Sequence, residues 1–372
     1  MTSDTPTNTA TFCDWPHRII RRSDTVRPLP PHTRSLADLT VEVGGRSLSV
    51  SDCMTRCRTA GVLILKAGEI ALERYGMESG PGRRREGYST TKSIIATLVG
   101  AALHDGAIGS LDDCCDLYVP RLRGSAYEGV TVRNVMRMCS GVAWDEEGDG
   151  RADTGRLELA WASRQPGSML DLACSLPRAQ PQGTFFNYST VESSVLGAVV
   201  AAATGRTLAD YCAEKIWRPA GMEANAYWML DADGGQEAGG FGVSACLRDL
   251  GRFGLLALED GAAFSGRQIL PSGWRDLVAQ PDSAPTGFGR LTPGSPMGYG
   301  YHWWAMPHGP TGIHAGAFLA AGSFGQYVYV HPTARVVAAV QSAWRQHEDP
   351  DANAGTWELL GAALRALRTD PA

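Results

Sequence analysis

An almost continuously apolar stretch, Ser93-Ile94-Ile95-Ala96-Thr97-Leu98-Val99-Gly100-Ala101-Ala102-Leu103, lacks a polar face and predicts a buried helix. Asp105-Gly106 ends it. Val191 to Ala203 has the same character and stops at Thr204-Gly205, and Thr131 to Met138 shows helical spacing up to Ser140-Gly141. Trp357 to Leu367 reads as a closing amphipathic helix. Strand patterns lie elsewhere. Gly61–Leu65 and Ile70–Tyr75 flank Lys66-Ala67-Gly68-Glu69, a hairpin with a glycine-containing turn. Tyr299–Trp304, Gln326–Val330 and Arg335–Val340 are strand-like, with Gly312 to Gly325 between the first two. Strands at both ends and helices between predict an α+β fold: an antiparallel sheet built from both ends of the chain, flanked by helices, with an inserted mainly helical domain. The division expected is an arm or disordered lead-in over 1–38, an α/β domain over 39–104 and 226–372, and a helical domain with a flap over 105–225.

The length, 372 residues, suits about two domains. Net charge is −5, and the arginines are scattered apart from Arg83-Arg84-Arg85 in a glycine-flanked loop, so no nucleic-acid footprint is present. The nine cysteines are dispersed without a C-x-x-C pair and read as reduced apolar fillers. Met1 to Pro31 holds no apolar signal core, and no run has membrane-spanning length, so a cytoplasmic protein without a membrane partner is expected. Asp145, Glu146, Glu147, Asp149 and Asp153 offer metal-type ligands, but they lack ordered calcium-loop spacing; a solvated flap is the expectation, with no metal and no organic cofactor.

Candidate chemistry starts from lysine. Only three of the 34 basic residues are lysines: Lys66, Lys92 and Lys215. Arginine cannot lose its proton in a protein, whereas a buried lysine can. Lys66 falls in the hairpin turn and reads as solvated. Lys92 follows Ser89 by three residues, about one helical turn, so the two share a face. Ser89 closes a glycine-bounded loop and opens the apolar helix. There it gains backbone N–H donors for a developing oxyanion, while desolvation pushes Lys92 toward the neutral form that accepts a serine proton. The competing reading is an N-cap serine with a snorkelling lysine. Tyr188, in Phe185-Phe186-Asn187-Tyr188-Ser189-Thr190, could shuttle protons or simply pack as a loop aromatic. Ala320-Ala321-Gly322-Ser323-Phe324-Gly325-Gln326 leads into a strand; its small residues suit a substrate lying along a strand edge, or a plain tight turn. G-x-S-x-G, the P-loop pattern and H-E-x-x-H are missing. His302, His308, His314 and His331 read as decoration of strands and turns.

S-x-x-K at a buried helix, then a Tyr188-Ser189-Thr190 element, then a small-residue turn into a C-terminal strand resembles, in that order, the serine β-lactamase and penicillin-binding-protein superfamily. Gly109-Ser110-Leu111-Asp112-Asp113, Tyr118–Leu122, Thr131–Val135, Met138–Gly141, Gly240–Ser244 with Arg248–Leu250, and Gly325–Pro332 resemble the class C β-lactamase-related esterases. The pattern is most similar to the aminohexanoate-oligomer (nylon-oligomer) hydrolases, which are cytoplasmic and cleave linear amides or small esters. The resemblance covers about residue 55 to the C-terminus. It implies Ser89 as nucleophile, Lys92 as base, Tyr188 as proton shuttle, and the backbone N–H groups of Ser89 and Ser323 as the oxyanion hole.

It further implies Gly322 and Ala321 along a substrate, and Trp144 as pocket wall or flap anchor. A homodimer is implied by resemblance only. Two departures matter. The Lys-Thr/Ser-Gly position holds Ala320-Ala321-Gly322, with no cation for a substrate carboxylate, which disfavours β-lactamase or D,D-peptidase activity. The flap tyrosine of the amidases falls near Gly148, which shifts the expectation toward esters or thioesters. The leading expectation is therefore a serine hydrolase cleaving a small-molecule carboxylic ester or linear amide through an acyl-enzyme. The alternatives are a transacylase passing the acyl group to an amine or alcohol in biosynthesis, and a non-catalytic binding or sensor protein on the same scaffold.

Overall fold

The computed structural model describes residues 15–146, 153–280, 297–306 and 312–368. Its centre is a seven-stranded antiparallel sheet in the order Glu69–Tyr75, Thr59–Lys66, Val336–Ser342, Gln326–His331, Phe318–Gly322, Trp304–Ala305, Gly298–Tyr299. The N-terminal hairpin therefore joins the C-terminal strands through the Thr59–Lys66 and Val336–Ser342 pair, in register from Lys66 opposite Val336.

Period-two alternation explains why these strands read as continuous apolar runs. Leu63, Leu65, Val328, Val330, Val337 and Ala339 enter one core, while Val62, Ile64, Tyr329, Ala338 and Val340 enter another on the opposite face. A sheet buried on both faces has no polar side to show. The helix Leu247–Leu258 packs on the first face. The closing helix, Pro350–Arg368, covers the second through Leu359, Leu360, Ala363, Leu364 and Leu367.

A second sheet pairs His17–Ile20, Ala226–Met229, Val243–Cys246 and Arg84–Glu86 in that order. Its first strand changes the picture of the lead-in. From Trp15 onward the segment is docked: Ile20 is fully buried, Trp15 stacks on Trp161 with ring centroids 3.9 Å apart, and Arg27 pairs with Glu259. The strand partner that holds it, Ala226–Met229, lies more than 200 residues away, so local sequence carried no sign of the pairing. The strand-like Tyr299–Trp304 is likewise two short strands broken by a turn at Gly300–Trp303, with His302 at φ +58°.

The two apolar helices form as their patterns predict, over Thr90–His104 and Thr190–Thr204. They pack against each other, and the first also packs against the Phe318–Gly322 strand. Gly205 ends the second with a left-handed backbone, φ +65°. The eight described cysteines are free thiols, and no helix among the described residues is long and apolar enough to cross a membrane.

Candidate active site

Ser89 stands at the N-cap of the helix Thr90–His104, but its side chain makes no capping hydrogen bond. Instead it receives a bond from Lys92, whose Nζ lies 2.8 Å from Ser89 Oγ. Lys92 is 1% exposed, so it does not snorkel. Its second acceptor is the Gly240 carbonyl at 3.0 Å, and among the described residues no carboxylate forms an ion pair with it. Burial lowers its pKa from 10.5 to about 8, partly opposed by the negative field of Glu146.

Tyr188 brings the third group. Its ring packs against the Lys92 ammonium, 5.1 Å from the centroid, and its phenol shares a hydrogen bond with Ser89. Burial raises the Tyr188 pKa well beyond the usual phenol range, so the phenol keeps its proton near neutrality. Trp304 stacks behind it at 5.7 Å, and Tyr299 meets it edge-on at 5.7 Å, fixing the ring from the sheet side.

The turn after Phe318–Gly322 closes the site. A methyl group on Gly322 would lie 2.3 Å from Gly87 O and 3.2 Å from Ser89 N, so only glycine lets this strand approach the Ser89 amide. Among the described residues, the amides of Ser89 and Ser323 donate to no protein acceptor, and no cation appears in Ala320-Ala321-Gly322. Tyr88, beside Ser89, and Phe324, beside Ser323, are half-buried with ring centroids 5.0 Å apart.

Three contributors escaped the sequence reading. The first is the Gly240 carbonyl. A side chain at Gly239 would lie 2.1 Å from Ser193 O, and one at Gly240 2.7 Å from Thr190 O. The adjacent glycines thus let this segment press onto the second helix and aim a carbonyl at Lys92; the pair itself was the available signal. The second is Glu146. Expected in a solvated flap, it turns inward, accepting from Thr190 N at 2.9 Å, from the Thr190 hydroxyl and from the Trp144 indole.

Trp144 is accordingly buried, its indole donating to Glu146 and its carbonyl accepting from Asn187 Nδ2 at 2.9 Å. Glu147, Gly148 and Asp149 lie outside the described residues. No group of three or more His, Cys, Asp or Glu side chains able to hold a metal occurs among the described residues. The third is His302. Expected as decoration of a strand or turn, it does lie in a turn but is buried, bonded to both helices. Lys66 donates to Ala334 O at 2.9 Å, and Lys215 pairs with Asp105 and Glu214. Of the three lysines, Lys92 alone is placed against a hydroxyl in the protein interior.

A serine and lysine one turn apart at the head of a buried helix, beneath an antiparallel sheet strand, form an arrangement in which a hydroxyl can be activated as a nucleophile, on a mixed α+β fold. The sequence matches the Beta-lactamase family model over residues 49–363, and the chain belongs to that family. It is 28% identical to a 6-aminohexanoate-dimer hydrolase of Paenarthrobacter ureafaciens over 357 residues, which cover 94% of this chain and 86% of the relative. A solved Bacillus anthracis structure described as a 6-aminohexanoate-dimer hydrolase superposes with a TM-score of 0.83 at 23% identity, covering 96% of this chain and 92% of its own. A family VIII carboxylesterase superposes with a TM-score of 0.64 at 18% identity, covering 85% and 95%. The fold is thus shared with proteins named for amide and for ester hydrolysis.

Proposed function

We propose that this chain is a serine hydrolase that cleaves a carboxylic ester or linear amide of a small molecule through an acyl-enzyme on Ser89. The observation that carries this reading is the buried Lys92 amine held 2.8 Å from Ser89 Oγ without a carboxylate partner. With a pKa of about 8, roughly a tenth of the molecules carry a neutral Lys92 at pH 7. Neutral Lys92 accepts the Ser89 proton as Oγ attacks the carbonyl carbon. The oxyanion is received by the amides of Ser89 and Ser323.

Tyr188, which holds its proton, delivers one to the departing oxygen or nitrogen and regains it from Lys92. Water then repeats the cycle on the acyl-enzyme and releases the acid. The lack of a cation at Ala320-Ala321-Gly322 favours substrates without a carboxylate at that end, with Ala321 and Gly322 beside the scissile group. The 28% identity to a 6-aminohexanoate-dimer hydrolase keeps linear amides within the proposed range.

Labelling with a fluorophosphonate and burst kinetics on p-nitrophenyl esters test this reading. Wild type is expected to label and to release a burst, whereas Ser89→Ala does neither. Lys92→Arg, which keeps the charge but cannot become neutral, is expected to fold and remain unlabelled. Equal labelling of Ser89→Ala, or near-normal turnover by folded Lys92→Arg, overturns it. Weighing the products with amines present assigns the acceptor: acid alone means water, and an amide product reassigns the enzyme to acyl transfer.

A further inference from the structure

His302 is 2% exposed and occupies a left-handed backbone, φ +58°, in the turn between the two short strands of the sheet edge. Every hydrogen-bonding group it owns is engaged. Its backbone N–H and its Nδ1 both face Met136 O, at 3.0 and 2.7 Å. A carbonyl can only accept, so Nδ1 carries the ring proton and Nε2 is bare. Nε2 then accepts from the Ser193 hydroxyl at 3.0 Å. The His302 carbonyl accepts from Ser93 Oγ at 2.7 Å.

These partners are not arbitrary places. Ser93 adjoins Lys92 on the first buried helix. Ser193 lies in the first turn of the second, just after Tyr188. Met136 ends the helix Val132–Met136. Two residues later Met138 O accepts from Asn187 N at 2.8 Å, beside Tyr188. His302 thus joins the segment carrying Lys92, through its backbone carbonyl, to both segments that hold Tyr188, through its ring.

We propose that His302 is a positioning residue, a permanently neutral Nδ1–H strut whose bonds to Ser193, Met136 and Ser93 set the spacing of Lys92 and Tyr188. The inference rests on the Ser89–Lys92–Tyr188 reading above. Neutrality has a physical source. The ring is buried, and among the described residues the titratable groups that face it are Lys92 and Tyr299, whose ring centroid is 6.3 Å away. Burial and the Lys92 charge push the His302 pKa down to about 3. A charged strut there would also hold Lys92 neutral at the moment it must accept a proton.

His302→Asn separates the contributions. Asparagine tolerates the left-handed backbone, and its amide can donate to Met136 O, but it is too short to reach Ser193. Ser193→Ala removes only the other end of that bond. Each variant is expected to lower the acylation rate by about tenfold with KM within about threefold, the signature of lost alignment rather than lost binding. Because both remove one bond, the double variant should lose no more than the larger single loss.

In wild type, the ¹⁵N shifts of His302 should report one neutral Nδ1–H tautomer, unchanged from about pH 5 to 8. Folded His302→Asn and Ser193→Ala variants that acylate at the wild-type rate overturn the proposal, as does a His302 ring that titrates in that interval. If wild type fails to label at Ser89, the catalytic reading fails and this role with it. If wild type labels and both variants label as fast, only the positioning role fails.

Discussion

Among the described residues, two cations are almost wholly withdrawn from solvent, at 2% exposure or less, and they are treated in opposite ways. Arg252, 2% exposed on the helix Leu247–Leu258, is fully paired: it meets Asp249 at 2.8 Å, Glu223 at 3.0 Å and the Arg27 carbonyl at 3.0 Å. Asp249 in turn accepts from the amides of Glu223 and Ala224. Lys92, 1% exposed, has a hydroxyl and one carbonyl. An arginine with two carboxylates is locked in its charged state and ties segments together. A lysine in the interior with neutral partners is close to losing its proton. The residue type and the partners agree in each case: the charge that must stay is arginine, and the one that must come and go is lysine.

The sharpest break of this comparison is chemical. Lys92→Met is expected to reduce acylation by about 10³-fold or more, since both the base and its geometry vanish. The same change should leave thermal stability equal or higher, because it removes a buried charge that has no counter-ion. Arg252→Met should do the reverse: unfolding free energy falls by about 3–5 kcal/mol, as Asp249 and Glu223 are left uncompensated, while the burst rate of the folded fraction is unchanged. If Lys92→Met proves strongly destabilising and active, the two sites are of one kind.

Next comes pH. The rate constant kcat/KM is expected to fall tenfold per pH unit below about 8 as Lys92 gains its proton, and to level off above. Stability should follow the same group. Its pKa is lower folded than unfolded, so between about 8 and 10.5 the unfolded chain binds more protons and wild type gains stability as pH rises. Lys92→Met should lack that gain, which urea titrations across the interval can measure.

The smallest effect probes Glu146, the acid among the described residues whose field reaches Lys92. Glu146→Gln keeps one acceptor oxygen for Thr190 N and the Trp144 indole but removes the charge that holds the Lys92 pKa up. The acid limb of the pH profile should move to lower pH by about one unit or less. No movement of that limb would mean that Glu146 acts only as a tether for its loop.

The sequence made some of this legible and hid the rest for identifiable reasons. The buried helices, the hairpin and the C-terminal strands followed from periodicity, which is a local property. Tyr299–Trp304 was read as one strand because its aromatic residues have strand character, yet a left-handed His302 folds it into a turn. The lead-in read as an arm because its polar, proline-rich text gives no sign of the distant strand it pairs with. Glu146 read as solvated because its neighbours are acidic and glycine-containing. Its inward turn depends on the free amide at the head of a helix 44 residues later.

By itself, the sequence determined that Ser89 and Lys92 share one face of an apolar helix, because three residues make a turn whatever surrounds them. It also determined the lysine at that place, in a chain that otherwise uses arginine. Only the tertiary structure decided which carbonyl receives Lys92, 148 residues away, and which ring faces it. The same holds for the histidine that spans 109 residues to Ser193. Such contacts depend on how closely two backbones approach, here at Gly239, Gly240 and Gly322. Close approach has no period along a chain; it exists only once the helices and the sheet are packed.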